Sequence, residues 1–360
     1  MAKKKYYQRP DGLYEVSRTI NGKRVRFRGK TCREVDRKIV EYSEAEERGR
    51  KFPEVADEWF EYHGSEIGQS TYNTYLNGLR RLKSSFRGYI KDIKPTALKA
   101  YVEEFEKKGY SKSTVSVNIS VMKQIFSYAV MKGDIEISPA AEIRHSKNLP
   151  QKKRSALTEE QERAVENYRG DDWLLGYMLL YTGARRGELL ALNWEDIDRE
   201  KGVIHFNKKL NYAYGTRPRL ENKMKSLNGF RDTPILAPLL AVLPDDKKGK
   251  IFKNAKGDYL SEYEMKKRWQ AYCRNVGLVE FEKDENGNTV EVFNITPHCL
   301  RHSFTTICYE AGLDIKSTAK FIGDTEKVTQ EIYTELRERK STEGIEKVNE
   351  YLERRAAERL

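Results

Sequence analysis

Between His145 and Arg154 the chain reads His-Ser-Lys-Asn-Leu-Pro-Gln-Lys-Lys-Arg, polar, basic and broken by a proline, with one leucine as its only large apolar side chain. Such a stretch has no place in a core, so it divides the 360 residues into parts that must pack separately. Hydrophobic residues are 38% of the chain, enough for each part to bury a core and too many for wholesale disorder.

The patterning differs from part to part. Residues 12–20 alternate, Asn21-Gly22 is a hairpin turn, and residues 23–28 alternate again, with Val25 and Phe27 on one face and Arg24, Arg26 and Arg28 on the other. A helix follows from about Thr31 to Arg48, with Val35, Ile39 and Tyr42 at helical spacing and Gly49 as its stop. Residues 52–143 read as mainly helical. One stripe is Tyr72, Tyr75, Leu76, Leu79, Leu82 and Phe86, with Ser70 as its expected N-cap. A second runs from Val115 to Ala129 and ends at Gly133. Beyond the divide, Thr158-Glu159-Glu160-Gln161 opens a helix, Trp173 to Tyr181 is an apolar helix, residues 202–206 and 230–235 read as strands, and helices resume near Ser261. The expected fold is multidomain and mainly α with small β-sheets: a sheet plus helix over 1–50, a helical domain over 52–145, an α+β domain over 155–340, and a charged tail over 341–360 whose thin apolar stripe suits a docking helix.

Charge narrows the partner. The chain carries 67 Lys and Arg against 55 Asp and Glu, a net charge of +12, and residues 1–30 alone hold ten basic residues against two acids. That points to a polyanion, most often nucleic acid. Arg24, Arg26, Arg28 and Lys30 are candidate DNA contacts on the first sheet, and Arg80, Arg81 and Lys83 on the helical domain. A solvated charged face is the bland reading of both sets. No apolar run is long enough to span a bilayer, and no apolar segment follows Lys3-Lys4-Lys5, so the expectation is a cytoplasmic protein with no membrane partner. Cys32, Cys273, Cys299 and Cys308 form no Cys-x-x-Cys pair and support neither a disulfide framework nor a zinc site.

Four segments carry candidate chemistry: Thr182-Gly183-Ala184-Arg185-Arg186-Gly187-Glu188-Leu189; His298-Cys299-Leu300-Arg301-His302; Ile322-Gly323-Asp324; and Tyr333. Singly each has a dull explanation. His298 and His302 at i, i+4 resemble a metal pair, yet no glutamate lies between them and Arg301 would set a cation beside the ion, so no metal is expected.

Together, in order and spacing, the segments resemble the three boxes of the tyrosine recombinase (integrase) family, and the upstream arrangement resembles its three-domain, arm-binding members from phages and conjugative transposons. The resemblance implies a site-specific recombinase that cuts and rejoins DNA through a 3′-phosphotyrosyl link to integrate and excise a mobile element. It implies no cofactor and no ATP. Tyr333 would be the nucleophile, Arg185 and Arg301 would hold the non-bridging oxygens, His298 would assist proton transfer, and Glu188 and His302 would support the site. A hairpin lysine would protonate the leaving oxygen: Lys223 fits that place best, and Lys225 is its rival. Asp324 stands where the family has His or Trp, and either orients Arg301, accepts from Tyr333 or lies aside; Asp324→His should keep or raise cleavage. Implied partners are double-stranded DNA with core and arm sites, a homotetramer on DNA, a directionality factor and a host DNA-bending protein, all at the bacterial nucleoid. A resolvase or inversion enzyme of the same family, or a DNA-binding regulator with an inactive catalytic domain, are the competing readings.

Overall fold

A computed structural model describes residues 6–150, 155–215, 217–222, 230–334 and 336. The chain divides into two compact units, 1–152 and 153–360. The divide falls inside the basic stretch His145 to Arg154.

In the first unit, strands β1 (Tyr7–Gln8), β2 (Tyr14–Ile20) and β3 (Lys23–Gly29) form an antiparallel sheet in the order β1-β2-β3. The β2–β3 register pairs Val16 with Phe27 and Ser17 with Arg26, so the alternation read from sequence sets an apolar face against helix α1 (Cys32–Arg48) and leaves Arg24, Arg26 and Arg28 exposed. Val16, Phe27 and Val35 make this small core. Thr31 caps α1 by accepting from the Glu34 amide, and Gly49 ends it with φ 77°, which only glycine adopts freely.

Helices α2 (Phe52–Gly64), α3 (Gln69–Ser85), α4 (Pro95–Lys107) and α5 (Lys112–Met131) surround a second core that includes Phe52, Trp59, Leu82, Met122 and Phe126. Helix α3 starts earlier than expected. Gly68 is its N-cap, and Ser70 lies inside the first turn. Gln69 bonds Asn73 one turn on at 3.1 Å, which fastens that earlier start.

The second unit contains helices α6 (Glu159–Asn167), α7 (Trp173–Thr182) and α8 (Arg186–Leu189). Strands β4 (Ile197–Asp198), β5 (Val203–Phe206), β6 (Lys209–Asn211), β7 (Arg219–Glu221) and β8 (Arg231–Pro234) follow. After them come α9 (Ala237–Leu240), α10 (Glu262–Val276), β9 (Glu280–Lys283), β10 (Thr289–Val292), α11 (Pro297–Glu310) and α12 (Ile315–Ile322). A further helical segment covers 326–334. Helix α7 is apolar all round and buried, the mark of a helix at the centre of a core, and α11 packs along it. The sheet β4-β5-β8 is antiparallel and pairs Phe206 with Arg231. The expected fold class stands: mainly helical, with small antiparallel sheets. Among the described residues no helix is long and apolar enough to cross a membrane.

Candidate active site

Two glycines set the geometry. Gly183 ends α7 with φ 58° and Gly323 ends α12 with φ 68°, both left-handed. Each leaves its carbonyl on one arginine: Arg301 Nη1 donates to Gly183 O at 2.8 Å, and Arg185 Nη2 to Gly323 O at 2.9 Å. At Gly183 a Cβ would fall 2.5 Å from the ring of Phe304, so the turn needs glycine for space as well as conformation.

Arg185 stands one residue before α8, and Glu188 reaches back to it. The Glu188 carboxylate accepts from the Arg185 amide at 3.0 Å and from Arg185 Nη1 at 2.9 Å. The Thr-Gly-x-Arg-x-x-Glu spacing is therefore one local unit: a helix stop, a cation and an acid that fixes it. Arg231, not singled out from sequence, completes the support. It donates from Nη2 to Glu188 Oε2 at 2.9 Å and from Nε to the Phe321 carbonyl at 2.8 Å, and its guanidinium lies 4.5 Å above the Phe206 ring. In β8 the inward positions are Arg231 and Thr233, a charge on the buried side of an alternating strand, which was the available signal.

Arg301 projects from α11 with its side chain only 3% exposed. Its Nη2 donates to Asp324 Oδ2 at 2.6 Å, and the other Asp324 oxygen accepts from Arg185 Nη2. Asp324 thus joins both arginines, one oxygen to each. The Tyr333 hydroxyl donates elsewhere, to the Leu313 carbonyl.

The electrostatics follow from the packing. Burial works against the charged Glu188, but Arg231 and Arg185 outweigh it and hold the carboxyl below the usual range. Burial and the adjacent Arg185 pull Arg301 down to about 10 against the opposing pull of Asp324, so it remains a cation at neutral pH. Three guanidiniums face two carboxylates, leaving one positive charge in excess.

The other predicted residues spread around this cluster. His298 opens α11 and meets His302 edge-on at 4.7 Å between ring centres. With Arg185, Arg186, Glu262, Lys266 and Trp269 it lines a cleft of about 530 Å³. A second cleft, of about 890 Å³, has Arg231, Asp324, His205, Lys316 and Lys320 on its walls. Tyr333 is 6% exposed. Its hydroxyl donates to Leu313 O at 3.0 Å and shares a 2.6 Å hydrogen bond with Thr318, and its ring meets Tyr309 edge-on. Burial pushes the phenol up. Lys223, Lys225 and the tail 341–360 lie outside the described residues. Among the described residues no group of three or more His, Cys, Asp or Glu is arranged to hold a metal.

In the first unit, Arg26 and Arg28 share Glu15 with Arg9, at 3.5, 2.7 and 3.1 Å. Arg24, Lys30 and Arg80 are exposed. Arg81 lies over the rings of Phe105 and Tyr110, and Lys83 bonds Asp57 at 2.6 Å. These last two are thus tied to their own unit.

Known proteins share this architecture. The family model described as Phage integrase family matches residues 147–340, more than half of the chain, and the one described as Phage integrase central domain matches 52–146. A tyrosine recombinase XerC-like protein of Caldanaerobacter subterraneus subsp. tengcongensis is 26% identical, over 97% of this chain and 99% of that protein. Tyrosine recombinase XerA of Pyrococcus furiosus is 25% identical over 77% and 92%. The Tn1549 transposon integrase, solved in complex with transposon right end DNA, matches with a TM-score of 0.62 at 19% identity over 79% of this chain and 95% of that one. A lambda integrase dimer bound to a COC' core site matches with a TM-score of 0.57 at 17% identity, over 92% and 95%. The two structural likenesses are likenesses of fold.

Proposed function

The chain belongs to the phage integrase family and is a site-specific tyrosine recombinase, and we propose that it integrates and excises a mobile genetic element. The observation that carries this reading is the convergence of Arg185 and Arg301, from segments 116 residues apart, on one carboxylate whose two oxygens they divide. A pair that grips a carboxylate in this way suits the two non-bridging oxygens of a phosphodiester.

The Tyr333 oxygen attacks phosphorus, its proton passes toward His298, and the bond to the 5′-oxygen breaks. That oxygen takes a proton from Lys223, with Lys225 as the alternative donor. The product is a 3′-phosphotyrosyl link and a free 5′-hydroxyl. Rejoining reverses each transfer on a new partner strand, and the ester conserves the bond energy, so no ATP enters. Charge developing on the phosphate is met by Arg185 and Arg301, and loss of one such preorganised donor costs on the order of 10²–10³-fold in rate. Glu188 and Arg231 position Arg185.

In this reading the sheet of residues 1–50 binds arm-type sites, 52–145 binds the core site, and 155–340 does the chemistry. Four protomers assemble on two DNA sites at the nucleoid, with a directionality factor and a bending protein setting direction. The test is covalent trapping. Protein and a plasmid carrying the DNA that flanks its own gene are mixed in EDTA and stopped with SDS, with Tyr333→Phe alongside. A protein–DNA adduct that the substitution abolishes is the expected result. Binding without an adduct would favour the regulator reading. Exchange confined to two sites within one DNA molecule would favour a resolvase or inversion enzyme.

A further inference from the structure

Asp324 gives one carboxylate oxygen to Arg185 and the other to Arg301, the second at 2.6 Å. The Arg301 side chain is 3% exposed and that of Asp324 is 19% exposed, so at this point the acid, not the arginine, meets solvent. Asp324 thus covers Arg301, while Arg185, 40% exposed, keeps an open side toward the cleft it lines with His298. A carboxylate and a phosphodiester each spread one negative charge over two oxygens, and forked guanidiniums take both.

We propose that Asp324 is an internal stand-in for the scissile phosphate: it bridges the arginine pair and covers Arg301 until DNA binds, and is then exchanged for the phosphate. This rests on the recombinase reading of the site. Asp324 is then a positioning residue that keeps two like charges in their working arrangement before substrate arrives. It is also a competitor that the substrate must displace.

Its place in the chain adds a consequence. Asp324 directly follows Gly323, whose carbonyl also binds Arg185, and it lies nine residues before Tyr333 on one continuous segment. Its amide donates to Ala319 O at 3.0 Å. Thr325 then opens the 326–334 helical segment, accepting from the Thr329 amide at its carbonyl. The segment that fills the clamp is thus the segment that carries the nucleophile. A phosphate that takes both guanidiniums removes the segment's tie to Arg301 and one tie to Arg185, and it repels the displaced carboxylate. Tyr333, held at Leu313 and Thr318 until then, is released by the group it attacks.

The experiment uses the full chain and its Asp324→Asn variant, with inorganic phosphate as probe against chloride of matched ionic strength. In chloride the variant melts below wild type, because Arg301 loses its counter-charge. Phosphate restores it, with a half-saturating concentration about tenfold lower than for wild type, as expected when a seat occupied about nine-tenths of the time is vacated. On nicked flanking DNA the variant forms the Tyr333 adduct faster than wild type. Equal or weaker phosphate binding in the variant overturns the proposal, and so does a slower adduct. If Asp324→Asn does not fold, Asp324→His and Asp324→Ser carry the same comparison. Tighter phosphate binding with no Tyr333-dependent adduct in any protein would leave the exchange standing and remove the recombinase reading. An adduct with unmoved phosphate affinity would do the reverse.

Discussion

Glu188 and Arg231 meet at 2.9 Å with each side chain only 3% exposed. The pair joins the first arginine box to β8, 43 residues on, and it stands behind Arg185. A buried ion pair is weak evidence of net stability, but breaking one side of it is costly, because the remaining charge has no solvent to turn to. Arg231→Met should therefore lower the free energy of unfolding in urea denaturation, by less than the about 3–5 kcal/mol of a fully orphaned buried charge, because Arg185 still holds Glu188. Pairing it with Glu188→Gln should recover part of that loss. A full loss in the double variant would place the effect in packing against Phe206.

The same pair fixes a pH dependence. The Glu188 carboxyl titrates below its ordinary value of 4.5 in the folded chain, since Arg231 and Arg185 outweigh the penalty of burial. Its contribution to stability is therefore complete above about pH 4.5 and is lost as pH falls through the lower folded value. Other carboxylates share that acid limb, so the informative quantity is a difference. In melting curves below about pH 4.5, Glu188→Gln should show a shallower fall with acid than wild type, with its whole deficit already present at about pH 7. Parallel curves would assign the acid limb elsewhere.

Gly183→Ala tests the turn between α7 and Arg185. The site has φ 58°, and a Cβ would sit 2.5 Å from the Phe304 ring. The backbone strain alone costs about 1–3 kcal/mol, and the clash adds to it. Because Gly183 O holds Arg301, cleavage should fall further than the melting point alone explains. Combining it with Phe304→Leu should relieve the clash and leave the backbone cost, a partial rescue readable by thermal melting.

Much of this was legible where one residue type does one local thing. Gly49 and Gly133 read as stops and lie at helix ends, and the alternation in 23–28 sorted its own faces. The hairpin of β9 and β10 was not read, although Asn286-Gly287 marks its turn, because its residues are almost all exposed and the strands lack an apolar face. The Arg231–Glu188 pair was not read either, and of the grip on Asp324 the sequence offered the tie to Arg301 but not the one to Arg185. Both depend on distances closed by tertiary packing, across 43 and 139 residues. The tie of Tyr333 to the Leu313 carbonyl is likewise invisible in sequence, since any residue supplies a carbonyl.

Tyr333→Phe separates chemistry from structure. It should abolish the DNA adduct while keeping the ring contact with Tyr309. The missing hydroxyl leaves the Leu313 carbonyl and Thr318 without that partner, a cost of about 1 kcal/mol. A melting point within a few degrees of wild type, with no adduct, is the expected result. An adduct that persists would mean that another residue is the nucleophile.

Removing the N-terminal sheet tests where arm DNA binds, and the structure says where to cut. Arg50 donates to Asp134 at 2.8 Å and also pairs with Glu58, so it belongs to the helical part and must be kept. A chain starting at Gly49 lacks the exposed Arg24, Arg26 and Arg28 of β3 and leaves the core around Phe52 and Phe126 whole. Each phosphate that the protein no longer neutralises flattens the plot of log affinity against log salt by about 0.9. Glu15 already neutralises part of the Arg9, Arg26 and Arg28 cluster, so the change should be smaller than the number of arginines suggests, and Glu15→Gln in the full chain should tighten binding. Fluorescence anisotropy on arm-site DNA over a salt series reads both effects. Weaker arm binding with a flatter slope, and an adduct on core-site DNA that persists, is the expected pair of results. An unchanged slope in the truncated chain would take DNA binding away from the sheet.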